Sequence, residues 1–349
     1  MKNLISLGFN IRIFYVHERG EYVDEARQLG ASFGIKNQRS VVLEKVSLLP
    51  QLLRISDSVN LVVGMIDGSP SYLTAIISFL RKIPSLCWLH GMHSDFLKNA
   101  SMWHSFASNV FHPLINQWIC VSHAVKTDFI QKKNFPDKKI SVIYNPVDFE
   151  QIYKLSKISL SSDLQEWFQH DVIIGVGRLS PEKNFPLLLK AFSLLPSELL
   201  KTTRLLIIGD GLQRVELENL VQQSGLNHFI KIIGFQRNPY ALIARSKILV
   251  SPSQTEGCPL AVVEALLLKT PVIGTVKQLA MYELLEPPLR GSVVAHNEQS
   301  IAEEIQRILV EQKEFYSEIS ELRNKFDVEK IILQYVDVIQ RLIGCKKTR

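Results

Sequence analysis

Ser251-Pro-Ser-Gln-Thr-Glu-Gly-Cys-Pro-Leu-Ala-Val-Val-Glu-Ala-Leu-Leu-Leu-Lys-Thr-Pro-Val-Ile-Gly-Thr275 decides the fold of this chain. The apolar run Ile248-Leu249-Val250 leads into it as a strand and a polar loop follows. Leu260 to Leu268 then reads as a helix, and Pro271-Val-Ile273 resumes the sheet. Pro259 is expected in the first helical turn, which accepts a residue without an N–H. Glu256 stays on the loop at the carboxyl end of the strand, and Glu264 lies one to two turns into the helix. Both carboxylates can therefore face the crevice above the sheet, where open parallel sheets bind ligands. Gly257 lets backbone come close to a ligand. The free N–H groups of the helix's first turn, reached through Cys258, Pro259 and Leu260, make an anion site with the positive end of the helix dipole.

Two acids beside a phosphate-sized cradle suit a ligand with hydroxyls on both sides of its phosphates, as a nucleotide sugar has. Two glutamates taken alone are more often solvated. Here Glu256-Gly-Cys-Pro-x4-Glu264-Ala, followed by Pro271-Val-Ile-Gly274, resembles the E-x7-E signature of the retaining glycosyltransferases of family 4. The resemblance implies an α/β chain of the GT-B fold. Two Rossmann-like, doubly wound domains would face a cleft, and a C-terminal helix would cross back to the first domain.

The chain has 349 residues, 46% of them hydrophobic and 21% charged, which is enough for two domains with separate cores. No apolar run approaches the roughly 18 residues of a membrane span and no signal peptide is evident, so a cytoplasmic location is expected. Cys87, Cys120, Cys258 and Cys345 are widely spaced, with no C-x-x-C pair, and neither a disulfide framework nor a zinc knuckle is indicated. The net charge is +6, and residues 1–150 hold 16 Lys plus Arg against 12 Asp plus Glu. No basic block of the nucleic-acid type occurs, and no nucleic-acid partner is expected. A slightly basic first domain could rest on the anionic headgroups of an inner membrane, or carry an ordinary solvated surface.

Ile11 to Val16 is the first clear strand, preceded by what reads as the end of a helix and a turn. In the family resembled, a strand, a glycine-rich loop and a helix come earlier, so the chain is expected to begin one such unit late. Helix and strand patterns then alternate: a helix over residues 21–30, strand Leu61–Ile66, helix Tyr72–Leu80, strand Ser85–Leu89. Trp118–Val121 and Ile140–Ile143 follow as strands. Ser122 and Asn145-Pro-Val-Asp148 resemble stretches that close the first domain, expected over residues 1–150. Residues 151–349 are then the donor-binding domain with its crossover helices. Val172 to Gly177 opens it, Asn184 is placed to cap a helix from Phe185 to Leu195, and strands follow at Leu205–Ile208 and Ile230–Ile233. A helical tail covers about Glu298 to Gly344.

Arg178 and Lys183 stand on the loop after Val172–Gly177 and resemble the pair that grips the donor diphosphate in this family. Pre-positioned cations stabilise the charge that develops on a departing phosphate. Asp210, between Gly209 and Gly211, either holds a loop near the nucleotide or makes a turn. The Gly234-Phe235-Gln236 turn resembles the segment that offers backbone to the base. His90, after strand Ser85–Leu89, resembles a histidine that meets the donor sugar and acceptor. Cys87-x-x-His90-x-x-His93 has metal-ligand residue types, but on a strand entering a loop they do not converge readily, and no Asp-x-Asp is present; no metal or other cofactor is expected. The loops His17-Glu18-Arg19 and Asp67-Gly-Ser69 either line an acceptor site or are solvated.

The resemblance implies a retaining transferase that takes a sugar from a nucleotide donor to a lipid-linked or glycan acceptor in bacterial surface polysaccharide synthesis, with Glu256 on a sugar hydroxyl. Two other readings stand beside it: a nucleotide-sugar 2-epimerase on the same fold, and a non-catalytic nucleotide-sugar-binding remnant.

Overall fold

The computed structural model describes residues 2–17, 23–35, 48–133, 135–275, 277, 279–285, 291–311 and 319–344. It forms two compact units: Met1–Cys120 with Phe129–Ile143 and Ile332–Arg349, and Val121–Asp128 with Tyr144–Ile331. The sequence places the border at 150/151, whereas in the structure the second unit takes over at Tyr144. The reason is local packing. The Val147 N–H bonds to the Phe326 carbonyl at 2.9 Å, the Tyr144 ring lies 5.2 Å from that of Phe326, and Val147 and Ile152 enter the second unit's core. The last helix, Val328–Gly344, starts in the second unit and is counted with the first from Ile332 onward.

In the first unit, β1 (Phe14–His17) and β2 (Ser32–Ile35) form a parallel pair. A separate parallel sheet holds β3 (Val62–Gly64), β4 (Ser85–Leu89), β5 (Gln117–Cys120) and β6 (Ile140–Val142) in sequential order. Leu86, Cys87, Leu89, Trp118, Ile119 and Cys120 on its two central strands are all fully buried. Apolar residues in succession, rather than in alternation, mark strands covered on both faces. The first strand starts three residues later than the apolar run at Ile11 implies, after a helix over Lys2–Ser6. Among the described residues no helix is long and apolar enough to cross a membrane.

The second unit is built on β7 (Asp171–Val176), β8 (Thr203–Ile208), β9 (Ile230–Ile232), β10 (Ile248–Ser251), β11 (Val272–Thr275) and β12 (Gly291–Val294). All are parallel, in the order β12-β11-β10-β7-β8-β9. Val172, Ile174, Leu206, Ile208, Leu249 and Val272 feed one core with the helices Leu260–Leu267 and Ile319–Phe326. Ile173, Leu205, Ile207, Ile248, Val250 and Ile273 feed the other with Phe185–Ser193 and Glu298–Glu311. This period-two division between two apolar layers makes a doubly wound sheet. The chain winds outward from β7 to β9 and then returns to the other side of β7 as β10. The switch point thus lies between β7 and β10, and the crevice at their carboxyl ends is where ligands of such sheets sit.

Three of the rim loops are laced together by main-chain bonds. Gly177 N–H reaches Ile208 O at 3.0 Å, Leu179 N–H reaches Asp210 O at 2.9 Å, and Gly209 N–H reaches Gly234 O at 2.9 Å. Gly209 has φ +146°, and a Cβ there would lie 1.8 Å from the Gly177 carbonyl oxygen. Gly177 has room, since a Cβ would make ordinary contacts with the Lys183 side chain at 3.5 Å and the Phe185 ring at 3.6 Å. Gly209→Ala is expected to lower stability by about 3 kcal/mol in urea unfolding, the upper range for a strained backbone. Gly177→Ala is expected to leave the midpoint nearly unchanged; equal losses in both would show that the lacing does not matter.

Candidate active site at the switch point

The loop after β7 and the loop after β10 are joined at the crevice. Gln254 N–H bonds to Glu182 O at 2.8 Å, and Lys183 Nζ donates to Glu256 Oε1 at 2.5 Å. Ser253 Oγ donates to the same Oε1 at 2.8 Å. Oε2 of Glu256 accepts no hydrogen bond among the described residues, although the side chain is only 12% exposed. One carboxylate oxygen is therefore anchored and the other is left for a hydroxyl donor.

The helix Leu260–Leu267 starts just beyond, with no side chain capping its first turn. Its N–H groups are available to an anion. Pro259 occupies the position before the first turn rather than within it, with its backbone extended. Glu264 is half-buried on this helix and meets Tyr240 Oη at 3.5 Å. Burial raises its carboxyl to about 7, against a smaller lowering by Tyr240. The half-buried Cys258 thiol is pushed up to about 12 by desolvation, which disfavours its thiolate at neutral pH.

Arg178 points outward, 74% exposed and 3.9 Å from Glu182, and does not join Lys183 at Glu256. Asp210 Oδ1 accepts its neighbour Gly211's N–H at 2.8 Å, and Oδ2 accepts from Arg214 at 2.9 Å, so it builds its turn with its side chain. Phe235 is half-exposed, and Gln236 turns back to donate to Ile233 O at 3.1 Å. Asn184 does not cap its helix. At φ +51° its side chain leaves the helix start, and its amide reaches His296 Nε2 at 3.1 Å. His296 lies outside every stretch singled out in the sequence, and Ser253 and Thr275, although inside the Ser251–Thr275 stretch, carry no pattern that marks a role.

In the first unit, His90 stands exposed after β4, with its ring bonded to the Met65 backbone. Desolvation shifts it below an ordinary histidine, against a smaller raising by the Met65 backbone. Asp67, in a loop expected either to line an acceptor site or to be solvated, turns inward. Its Oδ2 meets His93 Nδ1 at 2.6 Å and its Oδ1 meets His112 Nε2 at 3.0 Å. Cys87 and His90 take no part in this cluster. Among the described residues, Asp67, His93 and His112 are the one group whose ligand-type atoms lie within 4.8 Å of one another. Coordination would shift each proton to His93 Nε2 or His112 Nδ1, which are buried without a hydrogen-bond partner. A ligating imidazole nearly always has such a partner. The cluster therefore reads as a carboxylate buried under two imidazole donors. Glu18 and Arg19 lie outside the described residues, and of His17 only the backbone is described.

The chain aligns with Anabaena HepE solved with UDP-glucose at a TM-score of 0.77 and 22% identity, covering 92% of this chain and 89% of that one. WaaG, a glycosyltransferase of lipopolysaccharide biosynthesis, aligns at 0.71 and 12% identity over 98% and 94%. The profile described as Glycosyltransferase Family 4 matches residues 1–151, and that described as Glycosyl transferases group 1 matches residues 165–327. The chain belongs to the GT-B glycosyltransferases. An N-acetylgalactosamine-N,N'-diacetylbacillosaminyl-diphospho-undecaprenol 4-alpha-N-acetylgalactosaminyltransferase of Campylobacter jejuni is 27% identical over 70% of this chain and 64% of its own length. An uncharacterized glycosyltransferase of Methanocaldococcus jannaschii is 30% identical over 48% and 40%. The chain thus spans less than two thirds of the length of either. An uncharacterized glycosyltransferase of Haemophilus influenzae is 22% identical over 97% and 90%.

In this glycosyltransferase, burial alone would raise the Asp67 carboxyl, but hydrogen bonds from His112 and His93 hold it well below the usual range. A depressed carboxylate contributes stability that is full above the unfolded pKa of about 3.9 and is lost as pH falls below it. Asp67→Asn is expected to cost about 3 kcal/mol at neutral pH, the scale of breaking a buried charged network. It is also expected to flatten the acid limb of the unfolding curve; an unchanged limb would show that Asp67 does not carry it.

Proposed function

We propose that this glycosyltransferase moves a sugar, with retention at the anomeric carbon, from a nucleotide-diphosphate-sugar to an acceptor hydroxyl on a lipid-linked or glycan precursor of a bacterial surface polysaccharide. The observation that carries the reading is the Lys183–Glu256 contact of 2.5 Å at the switch point, which leaves Glu256 Oε2 open. In this reading Lys183, Arg178 once it swings inward, and the helix start at Gly257–Leu260 neutralise the diphosphate, so no metal is required. Glu264 accepts ribose hydroxyls, Gly209-Asp210 and Gly234-Phe235-Gln236 border the nucleotide, and Glu256 Oε2 accepts a hydroxyl of the sugar. His90 stands on the acceptor side in this reading, where its ring can offer a hydrogen bond.

Glu256 is engaged in holding, so a front-face route fits better than attack by a carboxylate. The bond from the anomeric carbon to the diphosphate oxygen breaks, the acceptor oxygen joins the same face, and the departing phosphate oxygen takes the acceptor's proton. A relative named for transfer to a diphospho-undecaprenol acceptor supports the lipid-linked class. The helix Met102–Phe111 supports peripheral contact with the inner face of a membrane, because Met102, Trp103, Phe106 and Val110 are all exposed on it.

A nucleoside diphosphate is expected to bind in calorimetry without added divalent metal; strict dependence on Mg²⁺ or Mn²⁺ would overturn the metal-free site. Lys183→Ala is expected to weaken it about tenfold to a hundredfold, the scale of one charged hydrogen bond. Glu256→Gln frees Lys183 from its competitor. It should leave diphosphate affinity equal or higher while transfer falls about a hundredfold or more, as when one pre-positioned group is lost. Parallel loss of both would make Glu256 merely structural.

Glu264 supplies a pH signature. Hydroxyl donors favour its ionised form, so nucleotide binding at pH 6.5 should release protons, and this group's contribution to affinity should rise as pH climbs through about 7. Binding heats that do not vary with buffer ionisation enthalpy, or that vary equally in Glu264→Gln, would remove Glu264 from the ribose site.

A further inference from the structure

His296 sits just past β12, and its ring closes a circuit of hydrogen bonds through the candidate active site. Asn184 Nδ2 donates to His296 Nε2 at 3.1 Å, and His296 Nδ1 donates to Thr275 Oγ1 at 2.9 Å. Thr275 Oγ1 donates to Ser253 O at 3.3 Å, and Ser253 Oγ donates to Glu256 Oε1 at 2.8 Å. Lys183 donates to the same oxygen, and Asn184 follows Lys183 in the chain, which closes the ring. With the Asn184 amide donating and the Thr275 hydroxyl directed at Ser253 O, each proton is used once when the imidazole is neutral with its proton on Nδ1. Desolvation, with Lys277 nearby, disfavours the imidazolium, which agrees with that state. Thr275 and Ser253 are buried, so the middle of the circuit is shielded from competing water.

We propose that His296 is a positioning residue that fixes the relative placement of Lys183 and Glu256 by tying the loop after β7 to the end of β11 and, through it, to the loop after β10. The proposal rests on the transferase reading for its kinetic consequence and on the hydrogen-bond circuit for its structural one. Fixing both partners of an ion pair from behind leaves Glu256 Oε2 aimed in one direction. Without the imidazole, Asn184 loses its acceptor and Thr275 loses a donor, while the two apolar cores are untouched.

Two variants isolate the effect. Asn184→Gly keeps the left-handed backbone and removes only the amide, and His296→Gln can still accept from Asn184 and donate to Thr275. His296→Ala and Asn184→Gly are each expected to lower kcat about tenfold, in keeping with the cost of small misplacements of reacting groups, with thermal midpoint and nucleoside diphosphate affinity nearly unchanged. His296→Gln should recover most of the rate. In the Glu256→Gln background the His296→Ala loss should shrink, since coupled residues are not additive. An undiminished loss there, or no loss in wild type, would overturn the proposal.

Nitrogen-15 spectra of the imidazole in the ligand-free protein give a readout independent of turnover. The Nδ1–H tautomer at neutral pH, shifted by Glu256→Gln, supports the circuit; an Nε2–H tautomer, or no response, overturns it. Should wild type show no transfer while the spectra behave as stated, the transferase reading fails and the circuit stands.

Discussion

The covering of both faces of the six-stranded sheet constrains everything else in the second unit. β7, β8, β10 and β11 divide their side chains between two apolar layers, so neither face of the sheet's centre can be left to water. Parallel strands buried in this way can be joined only by crossovers that pack on a face, and every strand then ends on the same rim. Residues far apart in the chain are delivered to one crevice for that reason alone. Lys183 and Glu256 are 73 positions apart, yet they stand on adjacent strands at the point where the winding reverses.

Glu256 and Glu264 occupy opposed environments. Glu256 faces an ammonium and a hydroxyl, so its negative charge has local support. Glu264 has only a distant phenol and a largely apolar surrounding, and its carboxyl sits near neutrality. Environments that differ in this way are how a pair of like residues can acquire separate tasks. The nearby cysteine, despite its place between them in sequence, has its thiolate disfavoured by desolvation.

What could be read in the sequence follows from how each feature is encoded. β7, β8 and β10 are continuous apolar runs, and their doubly wound packing leaves little choice but a parallel sheet. The glutamates and Lys183 were readable because the chemistry fixes residue type and spacing within one loop or helix. Asn184 was misread as a cap because its left-handed φ depends on the turn around Lys183, not on the helix it precedes. His296 and Thr275 carry no local signal, since their partners lie 112 and 21 residues away. Asp67, His93 and His112 were scattered among loop residues in the sequence, and only the folded sheet turns them toward one buried point. The unit border at Tyr144 depends on a main-chain bond to Phe326, a contact no composition shift announces.

The lacing of the rim loops around Gly209 uses peptide groups, which every residue except proline carries in full. Side chains on those loops can therefore be exchanged over evolutionary time without altering where the loops stand, provided the glycine is kept. The chemistry of the loop tips and the placement of the loops are in that sense separately encoded: one is written in side chains, the other in peptide groups and a single position that has no room for a side chain.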